Sequence, residues 1–250
     1  MLYQPARGNA YVPPNIHIEG TQLKAVELFK YLGSIVSNDA SADAEITARI
    51  AQATSAFGRL TKRLWKNRNI RLDTKISVYR AAVVTSLLFG CEAWTLKKAH
   101  IARLERFHQS CLRRIAKIKW QYYVTNYEVL ADCGITSIQC MVEGAVLRWT
   151  GLVVRMSNDR IPKRLLYSRL ATGKGTKGNH ATYLNQVRRT LHACDIPPAN
   201  LEILAAKRAN WRTIYKAGIA KAEDDRINCL IEKRERRKRR AGLVITHQPV

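Results

Sequence analysis

Two adjacent carboxylates, Asp224 and Asp225, are the first residues in this sequence whose spacing suggests chemistry. A carboxylate pair can hold two divalent cations about 3.5–4 Å apart when a tight hairpin aims both groups at the metals. Here the pair lies in a segment of helical character between Lys221 and Arg226. We therefore interpret it as part of a solvated, charged helix face, and we expect no catalytic residue in this chain.

A second pair, His108 and Cys111, lies one helical turn apart, as zinc ligands often do. Zinc would need two more ligands from elsewhere, and the six cysteines include no C-x-x-C spacing. We expect His108 and Cys111 to pack in the core, the cysteines to be reduced, and the chain to bind no metal or cofactor of its own.

Basic side chains are the dominant chemical feature, with 43 Lys and Arg against 19 Asp and Glu and a formal charge of +24. Residues 1–40 carry three basic and three acidic side chains, whereas residues 41–120 carry seventeen and five. This charge indicates a polyanionic partner, with nucleic acid favoured over a membrane surface. No apolar run approaches the roughly 18 residues that cross a bilayer, and the first residues do not resemble a signal peptide.

The residues from Ser41 onward predict the long helix that must position the first basic side chains. Ser41 is a candidate N-cap, and apolar residues recur every three or four positions. That apolar stripe consists of Ile46, Ile50, Ala53, Phe57, Leu60 and Leu64. The basic residues fall about 140° away on the helix: Arg59, Lys62, Arg63 and Lys66.

Two further helices follow in the sequence. One is expected from Asp73, as its cap, to about Phe89, with an apolar centre at residues 81–84 that predicts burial on all sides. The next is expected over residues 98–118, with one apolar face and basic residues on the others. Those basic residues are Arg103, Arg106, Arg113, Arg114 and Lys117.

The N-terminal segment predicts a small amount of β structure. Alternating residues flank a turn at Glu19-Gly20-Thr21, which predicts a hairpin, and residues 27–36 continue as a third short strand. So few strands do not form a stable sheet alone. The expected fold class is therefore mainly α: a small N-terminal β-hairpin element, a helical bundle and further helices.

The second half of the chain is predicted to be helical. Thr125 and Glu128 form a capping-box pattern, Gly134 is a helix stop, and Ser137 can cap a helix that runs to about Met156. A flexible basic loop is expected over residues 171–180, then helices over 183–194, from 201 and again from about 219. We divide the chain into residues 1–40, 41–120, 121–232 and a basic tail, 233–250.

Two features of this half stay open. The run at residues 233–240 has seven basic residues in eight, and it is either a nuclear-localisation or nucleic-acid patch or a disordered tail. Packing is the favoured interpretation for Trp65, Trp94 and Trp149. The rings of Trp120-Gln121-Tyr122-Tyr123 are open to either packing or base stacking.

Several short blocks, in one order along the chain, resemble the C-terminal part of a reverse transcriptase from a non-LTR (LINE-type, RTE-like) retrotransposon. The similarity covers roughly residues 16–170 and continues more weakly to about residue 216. The blocks are Phe29-Lys30-Tyr31-Leu32-Gly33-Ser34, Ala56-Phe57-Gly58-Arg59-Leu60 with Trp65, Val78-Tyr79-Arg80-Ala81, Gly90-Cys91-Glu92-Ala93-Trp94-Thr95-Leu96, Leu104-Glu105-Arg106-Phe107-His108, Cys111-Leu112-Arg113-Arg114-Ile115 and Leu147-Arg148-Trp149.

The resemblance implies that the N-terminal hairpin corresponds to a primer grip, the following helices to a thumb that clamps template and primer, and the rest to a connector. The parent polymerase uses two Mg²⁺ held by aspartates of a palm, which we expect to be absent here together with the fingers and the endonuclease. The implied role of this chain is to bind RNA, DNA or their hybrid without extending it, in the nucleus or cytoplasm, and the missing palm and fingers are a further implied partner. The implied contacts are Lys30, Tyr31 and Gly33 on the hairpin and the nine basic residues named above on the helices.

Three alternatives remain open. The chain can be one piece of a longer polymerase that carries the catalytic part, a helical nucleic-acid-binding protein recruited from such an element, or a relic without function. The first would have a Phe/Tyr-Ala-Asp-Asp stretch encoded upstream of Met1.

Overall fold

A computed structural model describes residues 15–24, 26–37, 41–168 and 183–240. Of the residues that it describes, 71% are helical, and two small antiparallel β-hairpins lie near the N-terminus, which confirms the mainly α fold class. The expected loop at residues 171–180 lies outside the described residues, as do residues 1–14 and the last ten residues of the tail.

Two hairpins open the described chain. Strands β1 (His17–Ile18) and β2 (Thr21–Gln22) form the predicted first hairpin. Strands β3 (Leu28–Tyr31) and β4 (Ser34–Ser37) form the second. The prediction of one strand over residues 27–36 was wrong, because the chain reverses at Leu32 and Gly33. Their φ angles are 47° and 85°, as a tight two-residue hairpin turn with both central residues left-handed requires.

Helix α1 (Asp43–Leu60) begins after an N-cap at Ala42, one residue later than predicted. The Ser41 hydroxyl still accepts the N–H of Asp43 at 3.2 Å. The predicted apolar stripe is confirmed, since each of its members is buried or half-buried and packs in the core.

A π-helical turn (Thr61–Trp65) follows α1 directly. The N–H of Lys66 donates to the carbonyl of Thr61 at 3.1 Å, and the Trp65 indole donates to the carbonyl of Phe57 at 2.8 Å. Because a π turn takes more residues than an α turn, the predicted direction of the side chains beyond Leu60 does not hold.

The second predicted helix consists of three segments: α2 (Leu72–Val78), a π-helical segment (Tyr79–Val84) and α3 (Thr85–Leu87). The N-cap is Arg71, so the predicted cap at Asp73 was wrong. The predicted burial of residues 81–84 is half right, because Val83 and Val84 are buried while Ala81 faces solvent. A 3-10 turn (Cys91–Ala93) leads to the next helix.

Helix α4 (Lys98–Ala116) is central to the fold and contacts α1, α2, α5 and α6. A 3-10 turn (Trp120–Tyr122) follows it, then α5 (Asn126–Asp132) and α6 (Ile138–Val154). The capping box at Thr125 and the cap at Ser137 are both confirmed. The Thr125 N–H donates to Glu128 at 2.6 Å, and the Ser137 hydroxyl accepts the N–H of Cys140 at 3.2 Å.

The remaining helices are α7 (Ile161–Tyr167), α8 (Tyr183–Ala193), a 3-10 turn (Pro198–Asn200), α9 (Leu201–Ala205) and α10 (Arg208–Arg240). Helix α10 starts eleven residues earlier than expected and includes the basic run at residues 233–240. Its Trp211 indole donates to the carbonyl of Leu147 on α6 at 2.9 Å. A Cβ at Gly151 would lie 2.1 Å from that indole, so the close approach of α6 and α10 requires glycine there.

One hydrophobic core runs from Ala42, the N-cap of α1, to Ala222 on α10 and crosses the boundary that we drew at residue 120. Within it, the Tyr79 hydroxyl lies 2.8 Å from Nδ1 of His108. Cys111 is buried beside them, so His108 and Cys111 are core residues, as expected. Burial lowers the pKa of His108 to about 4 and raises that of Tyr79 well above its usual range.

Acid should destabilise this core through His108. The imidazole is neutral in both the folded and the unfolded state above its unfolded pKa of about 6.5, and between there and its folded pKa of about 4 only the unfolded chain gains the proton. The free energy of unfolding should therefore fall by about 1.4 kcal/mol per pH unit across this window. Urea titrations from pH 7 to pH 4 measure this slope. The slope should be shallower by that amount in His108→Gln. Equal slopes in both proteins would contradict the lowered pKa of the buried His108.

Candidate nucleic-acid interface

The second hairpin is fastened to α1 by a buried ion pair. Glu45 and Arg49 lie one turn apart on α1, 2.7 Å from each other, with side chains only 5% and 6% exposed. The Glu45 carboxylate accepts the N–H of Ile35 at 2.5 Å, and Arg49 donates to the carbonyl of Gly33 at 2.6 Å. The Arg49 guanidinium also lies 4.5 Å from the centre of the Phe89 ring, within cation–π range.

The three hairpin residues that we expected to contact nucleic acid differ in exposure and role. Lys30 and Tyr31 lie exposed on β3, which has every residue facing solvent. Gly33 supplies the left-handed turn, and its carbonyl accepts from Arg49. The anchored hairpin therefore holds Lys30 and Tyr31 exposed to solvent. The observed role of Gly33 is structural, because it forms the turn and bonds Arg49.

The C-terminal end of α4 carries the main cationic feature. The helix ends at Ala116, and its C-cap is Lys117, a non-glycine residue with φ 57°. The N–H groups of Lys117 and Ile118 both donate to the carbonyl of Arg113. This left-handed cap turns the chain sharply and exposes Arg114, Lys117 and Lys119. Such caps favour glycine or asparagine, so the left-handed backbone of Lys117 destabilises the fold locally.

A cavity of about 1050 Å³ lies along this end of α4, towards the 3-10 turn and α5. Its wall contains basic side chains, one exposed indole and one carboxylate. They are Arg106, Arg113, Arg114, Lys117, Lys119, Trp120 and Glu105. The carboxylate of Glu105 is engaged, because it accepts the N–H of Ile138 at 2.9 Å, and burial raises its pKa.

A second cavity, of about 550 Å³, lies between α4 and the π-helical turn. Arg114 and Lys117 line both cavities, so the two are neighbours joined by the same pair of cations. Lys66 and Arg68 complete the basic wall of the second one. We define the basic surface as this continuous set: Lys66, Arg68, Arg106, Arg114, Lys117 and Lys119.

No carboxylate of the described residues forms an ion pair with any member of the basic surface. The nearby Lys75 is buried and donates to the carbonyl of Asn67 at 2.5 Å. Its pKa is lowered, first by burial and second by the charge of Lys117. Unneutralised positive charge therefore accumulates here, which is the condition under which an anion binds with counterion release.

The other expected cationic contacts lie outside the two cavities or have internal partners. Arg103 lies 3.5 Å from Asp43 and donates to Thr47 at 2.8 Å. Arg113 donates to the carbonyl of Val124 at 2.8 Å and to the side chain of Asn126 at 2.9 Å. Arg59, Lys62 and Arg63 are exposed but line neither cavity.

Sequence reasoning missed two contributors, Arg68 and Lys119, and left open whether the run at residues 233–240, now the last turns of α10, is a nucleic-acid patch or a disordered tail. Arg68 and Lys119 follow helix ends, where helical periodicity gives no direction. On α10, Arg234 donates to the Tyr127 hydroxyl at 3.2 Å and lies 3.9 Å from Glu128. The basic end of α10 therefore meets the first turn of α5, and the neighbouring residue of that turn, Asn126, lines the larger cavity.

The candidates for metal chemistry are not assembled into a site. Asp224 and Asp225 are exposed neighbours on α10, about 100° apart around the helix. The described part of the chain contains no group of three or more His, Cys, Asp or Glu side chains placed to hold a metal ion. All six cysteines are free, and all but Cys229 are buried.

Comparison of the chain with protein-family models, with curated proteins and with solved structures finds no match. Across the described residues, no helix combines the length and the apolar composition that a membrane span requires. The basic surface and the anchored hairpin are therefore interpreted from their own geometry.

Replacing Glu45 by Gln should release the second hairpin and destabilise the fold. The change leaves the Arg49 charge buried without its partner, and breaking a buried pair on one side costs about 3–5 kcal/mol. Urea unfolding should show this loss, and limited proteolysis should cut faster near residues 28–37. The control is Asp73→Asn, which removes one member of an ion pair whose side chains are 84% and 85% exposed, so it should change stability little. Equal stability of the two variants would contradict the anchoring role.

Proposed function

We propose that this protein binds nucleic acid, as a duplex or RNA/DNA hybrid, by laying a phosphate backbone along the basic surface. The observation that carries the proposal is the pair of adjoining cavities that share Arg114 and Lys117. A phosphate strand needs a row of cations with open space before it, whereas a solvated charged face needs neither cavities nor alignment. Contacts of this kind read the shape of the helix and its phosphates and carry no base specificity.

The chemistry of the wall supports a polyanion over a small acidic ligand. The cations are distributed over the π-helical turn, the end of α4 and the segment after it. A small anion would favour convergence of several donors on one point. A spread of charges with a formal excess of +24 in the whole chain matches an extended, regularly charged partner.

We further propose that the chain holds nucleic acid without extending it. Asp224 and Asp225 point in different directions from an exposed helix, so they do not form the paired carboxylate site that two-metal phosphoryl transfer needs. This matches the role implied by the resemblance to a LINE-type reverse transcriptase, with the anchored hairpin as primer grip, α1 to α4 as thumb and the later helices as connector. The Mg²⁺ of such a polymerase would belong to its palm.

A nucleic-acid-binding protein recruited from such an element would bind through the same basic surface. The proposal of phosphate binding therefore covers this alternative too. The nuclear or cytoplasmic location expected from the sequence belongs to the proposal as well. The exposed basic end of α10 is consistent with either compartment.

Removing three cations of the basic surface should weaken binding and reduce its dependence on salt. The variant carries Lys66→Ala, Arg114→Ala and Lys117→Asn, where asparagine tolerates the left-handed backbone of residue 117. Each lost phosphate contact should reduce the slope of log K against log salt concentration by about 1, for a total near 3. Fluorescence anisotropy with a 20-base-pair RNA/DNA hybrid at several salt concentrations measures both effects.

The matched control removes three cations from the opposite end of α10, in Arg208→Ala, Arg212→Ala and Lys216→Ala, all exposed. Lys216 lies eighteen residues from Arg234, or roughly 27 Å along the helix axis. This variant has the same net charge as the first and should keep nearly the full salt slope. Equal losses in the two variants would reduce the effect to net charge alone and would contradict a defined binding surface.

A further inference from the structure

The turn that follows α4 presents three aromatic rings to solvent beside the basic surface. Trp120 is 76% exposed, Tyr122 59% and Tyr123 78%. Large exposed rings are costly unless they have a partner, and such a cluster marks an interaction site. We call these three residues the aromatic knuckle. None of them takes part in the core, whereas Trp65, Trp94 and Trp211 are buried.

The knuckle is held in a fixed position. The carbonyl of Val124, one residue after Tyr123, accepts from Arg113 on α4 at 2.8 Å, and Arg113 also holds Asn126 at the start of α5. Tyr123 closes the 3-10 turn with φ 51°, and its N–H donates to the carbonyl of Trp120. The segment is therefore tied to helices at both ends, so its rings need less ordering on binding than those of a free loop would.

Trp120 also lines the larger cavity together with Arg106, Arg114, Lys117 and Lys119. An aromatic face next to a row of cations is the combination that binds single-stranded nucleic acid, in which the cations follow the phosphates and the ring stacks on a base. A lipid surface is the other partner that such residues fit. The indole here borders a concave cavity and has basic side chains around it, which favours a strand over a flat membrane.

Resting on the proposed function, we propose that the aromatic knuckle stacks on an unpaired base at the end of a bound duplex, with Trp120 as the principal stacking ring. The basic surface then holds the duplex phosphates and the knuckle holds the first nucleotides of a single-stranded overhang. Arg113 acts as a positioning residue, since it fixes the knuckle and does not itself touch the base. The preferred ligand is thus a hybrid or duplex with an overhang.

The experiment compares three ligands of one sequence: a blunt hybrid, the same hybrid with a four-nucleotide overhang, and the hybrid with an abasic overhang that keeps the phosphates. The base-bearing overhang should bind roughly 5- to 100-fold more tightly than the abasic one, as expected for one or more stacked bases. Trp120→Ala should abolish most of this preference, measured as the ratio of the two overhang affinities within the same variant. Trp120→Phe should retain part of it. The control Tyr167→Ala, at a 46% exposed tyrosine on α7, should retain all of it.

A second readout uses the tryptophan itself. Trp120 is the most exposed of the five tryptophans, so quenching by acrylamide reports chiefly on its ring. The base-bearing overhang should protect it, and the abasic overhang and phosphatidylserine vesicles should not. Equal affinity for the two overhangs, an intact preference in Trp120→Ala, or protection by vesicles alone would overturn the stacking proposal.

These outcomes are separate from those that test the basic surface. Salt-dependent binding of the blunt hybrid, lost in the Lys66, Arg114 and Lys117 variant, supports the proposed function whatever the overhang does. If the overhang gives no advantage while that binding persists, only the knuckle proposal fails. Absence of binding to all three ligands would overturn both.

Discussion

The packing of one face of α4 is the constraint on which the rest of the structure depends. Seven residues of this helix are buried, among them Leu104, His108, Cys111, Leu112 and Ile115. A helix with one face fixed in this way has no freedom to turn the other, so its cations must face outward. The hydrophobic effect, which acts on the apolar stripe, therefore determines where the basic residues at its C-terminal end are presented. Helix α4 therefore contributes both to the core and to the basic surface.

The distribution of carboxylates explains why the basic surface stays positive. Several of the few acidic side chains serve as hydrogen-bond acceptors for the backbone. Glu45 accepts from Ile35, Glu128 from Thr125, Glu105 from Ile138 and Glu223 from Ser137. The last two lie at the N-terminus of α6, where a helix leaves N–H groups unsatisfied and its dipole favours negative charge. Arg226 then bridges Glu223 and Glu143, at 3.1 and 2.8 Å. Because these carboxylates are engaged in the fold, none of them pairs with Arg114 or Lys117.

Most features set by neighbours in the sequence could be predicted, although the helix caps expected at Ser41 and Asp73 lie at Ala42 and Arg71, and features set by distant contacts could not. The apolar stripe of α1 and the caps at Thr125 and Ser137 depend on spacings of three or four residues, and all are present. The turn at Leu32-Gly33 was missed because Leu32 has no preference for a left-handed backbone, and Arg49, sixteen residues away from Gly33, helps to hold it there. The π-helical turns were missed for a similar reason. At the first one, the Trp65 indole bonds the carbonyl of Phe57, eight residues earlier, which no α-helical period anticipates.

The same distinction applies to the basic surface and to the end of α10. Exposed basic residues could be named from the sequence, but only the fold decides which of them share a cavity and which, such as Arg103 and Arg113, are engaged internally. The run at residues 233–240 is helical, although like charges such as Lys233 and Arg237 lie four residues apart and destabilise a helix. The contact of Arg234 with α5 offsets part of that repulsion at one point. A polyanion along this face would offset the remainder, because neutralised side chains no longer repel one another along the helix. Charge neutralisation would thus stabilise the helix end and extend the basic surface at the same time, which makes the two effects mutually reinforcing.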